Sequence, residues 1–250
     1  MRIYRKIPDF SAILLETVNR FFVVVIFSIA FGYIEAAVVV YLRAIFYPAG
    51  FNFPLTLFGL DNPLWRKFLF TEVGREVATL VVIFTSAWLF GKSRQQRFAY
   101  FLIIFAVWDI FYYIWLKVLI GWPASIMDWD ILFLIPAVWA SPVLAPVLAS
   151  ATMLLCAVEI LYRDFHNRHL KASLIDKVGF FLAAFAAVFA FCFAGLHIAE
   201  PDYKTYFYWP VFALANISAA ALFLKCLLKA DPLAVLSPRR SRDATKSYDS

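Results

Sequence analysis

An apolar run that contains ionisable groups constrains this chain more than any other feature. Residues 98–120, FAYFLIIFAVWDIFYYIWLKVLI, are long enough to cross a bilayer, because a membrane-spanning helix needs about 20 predominantly apolar residues. Asp109 and Lys117 nevertheless lie inside this run. Lipid offers no water to solvate such groups, so we expect them to face each other, a cavity or a bound ligand.

The composition of the whole chain is that of a membrane protein. Of its 250 residues, 64% are hydrophobic and 16% are charged, whereas a soluble domain carries about 25% charged residues. This excludes a soluble globular protein. Long apolar stretches lie at about 21–42, 69–90, 98–120, 132–161, 178–198 and 207–229. We therefore predict an all-α integral membrane protein of about six transmembrane helices, occupying residues 21–229.

The two ends of the chain differ from this transmembrane domain. In residues 1–20, apolar side chains recur at helical spacing from Phe10 to Val18, which predicts an interfacial helix on the cytoplasmic membrane surface. Residues 230–250 are basic and lack apolar periodicity, so we predict a disordered cytoplasmic tail. The PRRSR motif in this tail could bind nucleic acid, but we interpret it as a solvated anchor and expect no nucleic-acid partner.

Three prolines interrupt the fourth apolar stretch, 132–161. They are Pro136, Pro142 and Pro146. Because proline removes a helical hydrogen bond and its ring clashes with the preceding turn, we predict that the fourth helix is kinked or broken near its outer end.

Basic residues predict the orientation. Of the 23 lysines and arginines, 17 lie on one side of the predicted spans and four on the other. Cytoplasmic loops carry the excess of basic residues in membrane proteins. We therefore expect a multi-pass protein of a bacterial cytoplasmic (inner) membrane with both termini in the cytoplasm. The same asymmetry accounts for the net charge of +6.

The charges within the first three spans are predicted to lie at similar depths. With a rise of about 1.5 Å per residue, Glu35 falls in the outer half of the first span and Asp109 near the middle of the third. Glu76 lies about 10 Å below the outer end of the second span. These estimates, made on three separate helices, place the polar groups together in the outer leaflet.

We expect these groups to form one polar site. Asp109, Glu76 and Glu35 are the candidate catalytic residues, because burial can adapt carboxyl groups to general acid–base chemistry. The candidate substrate-binding residues are Arg75, Lys117, Tyr113, Tyr112 and Asp130. The alternative is a set of interhelical ion pairs in which Arg75 and Lys117 only neutralise the carboxylates.

Cofactor chemistry finds little support in the sequence. The three cysteines lie in apolar runs without CxxC spacing, and two of the three histidines fall in a basic loop. Motifs of zinc proteases, nucleotide-binding loops and serine hydrolases are absent from the chain. We predict no metal and no cofactor.

Three functions fit these observations. The first is an enzyme that acts on a lipid or isoprenoid at the outer leaflet. The second is an ion or small-solute carrier. The third is a non-catalytic subunit or assembly factor that docks a membrane-protein partner. Because the charges lie at one side of the membrane, we favour the enzyme, with membrane lipids as its surroundings and a lipid or isoprenoid as its ligand.

Overall fold

A computed structural model describes residues 10–55 and 63–230 of the chain. Six helices in this part are long and apolar enough to cross a membrane, so the chain is a multi-pass membrane protein. The helices are α1 (Phe10–Phe46), α2 (Pro63–Phe90), α3 (Arg94–Ile120), α4 (Leu144–Phe165), α5 (Leu174–Gly195) and α6 (Trp209–Ala230). A short 3-10 helix, Tyr203–Tyr206, precedes α6, and two strands, β1 (Trp129–Phe133) and β2 (Trp139–Pro142), separate α3 from α4.

Local signals in the sequence account for several helix ends. The Ser93 hydroxyl accepts a hydrogen bond from the Gln96 backbone N–H at the start of α3, at 3.0 Å. Gly121 ends that helix in the left-handed conformation, with φ of 72°, which glycine adopts without steric cost. Ser173 and Asp176 form a reciprocal capping box at the start of α5. These caps satisfy backbone groups that a helix end leaves unpaired.

The first helix is longer than the sequence predicted. One continuous helix runs from Phe10 to Phe46, so the separate interfacial helix expected within residues 1–20 is not confirmed. No proline interrupts this stretch and its first glycine is Gly32, so nothing in the sequence ends a helix near residue 20. Residues 1–9 and the predicted disordered tail, from residue 231 onward, lie outside the described residues.

A β-hairpin replaces the outer part of the predicted fourth helix. Strands β1 and β2 pair antiparallel, with Asp130 opposite Ser141 and Ile131 opposite Ala140. The kinked fourth helix is therefore not confirmed, and α4 begins only at Leu144. Pro136 and Pro142 cannot lie inside a helix without loss of hydrogen bonds, whereas Pro146 lies in the first turn of α4, where its missing N–H costs nothing.

Helix α3 is the centre of the bundle. Helices α1, α2 and α4 all pack against it, and Ile103, Ile104 and Leu116 on α3 are fully buried. The approach of α1 is close, since a Cβ atom added at Gly32 would lie 2.9 Å from the Trp108 carbonyl oxygen. Helices α5 and α6 form a second pair. The Asn216 side chain joins α6 to α4 by a 3.1 Å hydrogen bond to Thr152.

The hairpin is held between both parts of the bundle. Strand β2 packs on α5, where a Cβ atom added at Gly195 would lie only 1.8 Å from the Val138 carbonyl oxygen. Strand β1 directs the Asp130 side chain toward α1 and α3, where it contacts Arg43 and Tyr112. We call this end of the bundle the hairpin end.

Candidate functional site

A cavity of about 310 Å³ lies at the hairpin end, between α1, α2, α3 and strand β1. Ligand pockets in proteins begin at about this size. Most of its wall is apolar and aromatic, with Phe46, Phe68 and Trp65 between α1 and α2. The remaining wall carries a concentration of charged and phenolic side chains, which is unusual within a membrane-spanning bundle.

Seven of the eight residues singled out from the sequence line this cavity. They are Glu35, Arg75, Glu76, Asp109, Tyr112, Tyr113 and Asp130. The three helices that carry the first six residues deliver them to one end of the bundle, as the depth estimates predicted. These residues thus line one cavity, and their chemical roles stay predictions.

Lys117 is the one residue of the eight that the structure does not bring to the cavity wall. Its ammonium group donates to the carbonyl oxygens of Gly121, at 3.1 Å, and Pro123, at 2.8 Å, and it does not line the cavity. Eight residues separate it from Asp109, which is about 12 Å along a helix. At that distance the lysine reaches the carbonyl groups just beyond the C-terminus of α3, where the helix dipole favours a cation.

Arg75 links α1 to α2. Its guanidinium group forms ion pairs with Glu35 on α1 and with Glu72 one turn earlier on α2. The second oxygen of Glu35 accepts a 3.5 Å hydrogen bond from the Thr79 hydroxyl. All three guanidinium nitrogens therefore donate to protein carboxylates, and Glu35 has partners for both of its oxygens.

Glu76 connects α2 to the hairpin. Its carboxyl oxygens accept the Leu134 backbone N–H at 2.9 and 3.1 Å. The side chain is deeply buried, with 5% of the residue exposed. Within the described part of the chain, Glu76 makes no salt bridge. It therefore keeps the capacity to accept further hydrogen bonds from a molecule in the cavity.

Asp109 also lacks an ion-pair partner among the described residues. One of its oxygens accepts a 2.8 Å hydrogen bond from the Ser150 hydroxyl on α4. The residue is only partly buried although α3 is central, which agrees with a side chain that faces the cavity. The alternative pairing of Asp109 with Lys117 is not seen, and among the described residues this hydrogen bond leaves one carboxyl oxygen without a partner.

Asp130 forms the most enclosed charged contact of the cavity. It is 2% exposed, and it accepts hydrogen bonds from Arg43, at 2.9 Å, and from the Tyr112 hydroxyl, at 3.1 Å. The Arg43 guanidinium also lies over the rings of Phe51, at 4.1 Å, and Trp122, at 3.8 Å. Burial raises the pKa of the Asp130 carboxyl, and the positive charge of Arg43 opposes this shift.

Arg43 lines the cavity, but the sequence analysis did not single it out. It is one of the four basic residues on the outer side of the predicted spans. One signal in the sequence was its position near the end of the first span, just before an aromatic loop. The sequence could not show that a hairpin 87 residues later would supply its carboxylate.

Two further polar groups of the cavity wall lack partners. The Tyr113 hydroxyl and the indole N–H of Trp108 are buried and make no hydrogen bond within the described residues. Both residues line the cavity. Unpaired buried polar atoms cost free energy, and in native proteins each one calls for an explanation such as a bound molecule.

The cavity carries an excess of carboxyl groups. Among the described residues that line it, five are acidic, namely Glu35, Glu72, Glu76, Asp109 and Asp130, and two are basic, Arg43 and Arg75. Among the residues that the structure describes, no group of three or more histidine, cysteine or acidic side chains is arranged to hold a metal ion. The chain matches no protein-family model, no curated protein and no solved structure.

Proposed function

We propose that this protein is a membrane enzyme that acts on a lipid or isoprenoid whose polar group enters the cavity. One observation carries the proposal. Asp109 and Glu76, on different helices, line a mostly apolar cavity without forming a salt bridge within the described residues. Carboxyl groups that are not neutralised by a protein cation are suited to give and take protons.

The other charged residues of the cavity fit supporting roles. Arg75 holds Glu35 and so connects α1 to α2, while Arg43 and Tyr112 hold Asp130 and so fix the hairpin. Glu35 would orient the substrate or complete the proton exchange with Glu76. Tyr113 would bind the substrate's polar group. Arg75 acts on the substrate through the carboxylates that it positions.

The aromatic wall supports an apolar ligand. Phe46 at the end of α1 contacts the rings of Trp65 and Phe68 on α2, with centroid distances of 4.9 and 5.0 Å. These rings stand between the two helices, which both pack on α3. A lipid chain would reach the carboxylates from the bilayer by passing between α1 and α2 at these rings.

The location follows from the distribution of basic residues. We place the protein in a bacterial cytoplasmic membrane with both termini in the cytoplasm. The hairpin end then faces the outer leaflet, and the substrate is a lipid of that leaflet.

Conversion of a lipid by the purified protein tests the proposal. Wild type, Asp109→Asn and Asp202→Asn would be incubated with a bacterial lipid extract, and the lipids would be compared by mass spectrometry. Asp202 is an exposed carboxyl outside the cavity, so its variant is the matched control. We expect one lipid species to be converted by wild type and by Asp202→Asn but not by a folded Asp109→Asn.

Two outcomes would contradict the proposal. Equal conversion by Asp109→Asn would remove this residue from the chemistry. An unchanged lipid profile with folded wild-type protein would refute an enzyme acting on such lipids. In that case, transport of an ion or solute by reconstituted vesicles would favour a carrier, and a stoichiometric co-purifying membrane protein would favour a subunit or assembly factor.

A further inference from the structure

We infer that the polar group which this cavity binds is an uncharged, polyhydroxylated one, such as a sugar or a polyol, attached to an apolar chain. The inference rests on the proposed function and adds the chemical class of the substrate. It follows from the hydrogen-bonding groups and charges of the cavity wall, taken in turn.

An anionic headgroup does not fit the charges. The cavity is lined by five carboxyl groups and two guanidinium groups. Anion sites in proteins use arginines whose N–H groups are free to form a bidentate contact. Here Arg75 binds Glu35 and Glu72, and Arg43 binds Asp130 between two aromatic rings. A phosphate that bound Arg75 would have to displace a protein carboxylate, and one that bound Arg43 would have to share that guanidinium with Asp130.

A cationic headgroup would satisfy only part of the wall. An ammonium group donates hydrogen bonds and accepts none, so it could bind Asp109 and Glu76. It could also donate to the Tyr113 hydroxyl, but it would leave the Trp108 indole N–H, which can only donate, without an acceptor. A quaternary ammonium group offers neither donors nor acceptors.

Hydroxyl groups can form hydrogen bonds with both the acceptors and the donors of the cavity wall. Each hydroxyl donates one hydrogen bond and accepts two. It can donate to the free oxygen of Asp109 or to Glu76, and its lone pairs can accept from Tyr113 or Trp108 after small side-chain adjustments. Trp108 is 4% exposed and Tyr113 is 5% exposed, so these donors have little other access to water.

Binding of three probes that share an octyl chain and differ in their polar group would test this inference. Octyl glucoside, octyl phosphate and octylammonium would be titrated, below their micelle concentrations, into wild-type protein held in an amphipol. Calorimetry would give the dissociation constants. We expect octyl glucoside to bind at least about tenfold more tightly than either charged probe, the ratio that a free-energy difference of about 1.4 kcal/mol produces.

Tyr113→Phe shows whether the binding uses the unpaired hydroxyl. Loss of one net hydrogen bond should weaken octyl glucoside about three- to tenfold. The matched control is Tyr100→Phe, which removes a hydroxyl from the same helix outside the cavity and should leave the affinity unchanged.

The outcomes separate this inference from the proposed function. Tighter binding of octyl phosphate or octylammonium would overturn the polyhydroxyl headgroup while leaving an amphipathic ligand in the cavity. Unchanged affinity of Tyr113→Phe would overturn it as well. Failure of all three probes to bind would count against both proposals. Lipid conversion that depends on Asp109 but uses a substrate without hydroxyl groups would overturn only this inference.

Discussion

Replacement of Arg43 by methionine should destabilise the fold, because it leaves Asp130 without its cation. Asp130 is 2% exposed and its carboxyl oxygen lies 2.9 Å from the guanidinium group. Breaking a buried ion pair by removal of one partner typically costs about 3–5 kcal/mol. The variant also loses the contacts of the guanidinium with Phe51 and Trp122, each worth about 0.5–2 kcal/mol. We therefore expect a loss of at least about 3 kcal/mol at neutral pH.

This loss should grow as the pH rises. Burial already raises the pKa of Asp130 in the wild type, and removal of the positive charge should raise it further. A carboxyl group whose pKa is higher in the folded state than its unfolded value of about 3.9 favours folding fully below that value. Its contribution is lost as the pH rises through the folded-state pKa. The difference between wild type and Arg43→Met should therefore be smaller at pH 5 than at pH 8.

Unfolding in detergent would measure both effects. Cys226 is buried and Cys156 and Cys192 are partly buried, so a thiol-reactive dye reports unfolding, and titration with SDS gives the free energy. Arg94→Met, at an exposed position on α3, is the matched control. Arg43→Met with Asp130→Asn should recover part of the loss, since no unpaired carboxylate remains. A cost below about 1 kcal/mol at pH 8, the value typical of surface pairs, would refute the reasoning.

Two further predictions concern packing and orientation. Gly195→Ala should destabilise the protein by up to about 3 kcal/mol, because its Cβ atom would lie 1.8 Å from the Val138 carbonyl oxygen. The control is Gly74→Ala, where a Cβ atom would meet no atom within 4 Å, and it should be neutral or stabilising. Equal melting temperatures for the two variants would contradict the close contact. In protein without native cysteines, Ser125→Cys should react with an impermeant thiol reagent from outside intact cells, whereas Lys171→Cys should react only after lysis; the reverse pattern would place the hairpin end at the cytoplasmic leaflet.

Much of the helical framework was determined by local sequence. The run at 98–120 predicts α3, which spans Arg94–Ile120, and the run at 207–229 predicts α6, which spans Trp209–Ala230. Hydropathy succeeds here because a bilayer requires each span to satisfy its own backbone hydrogen bonds. Hydropathy alone gives the wrong structure at 132–143. Apolar residues continue there, but prolines prevent a helix and a hairpin forms instead.

The height of each polar group was also readable from the sequence, because the helical rise is constant. Height predicted that Glu35, Glu76 and Asp109 would meet at one end, and the cavity joins them. Height does not give the direction in which a side chain points or which other segment stands opposite. The sequence therefore could not show that Lys117 contacts the backbone carbonyls of Gly121 and Pro123 or that Arg43 lines the cavity.

Only the tertiary structure decided the contacts that give the cavity its character. The pairing of Arg43 with Asp130, 87 residues apart, depends on the hairpin folding back between α1 and α3. The pairing of Glu35 with Arg75, 40 residues apart, depends on where α1 and α2 face each other. Such contacts arise from the packing of several elements at once, whereas the sequence on its own predicts six apolar spans and the position of each charge along its span.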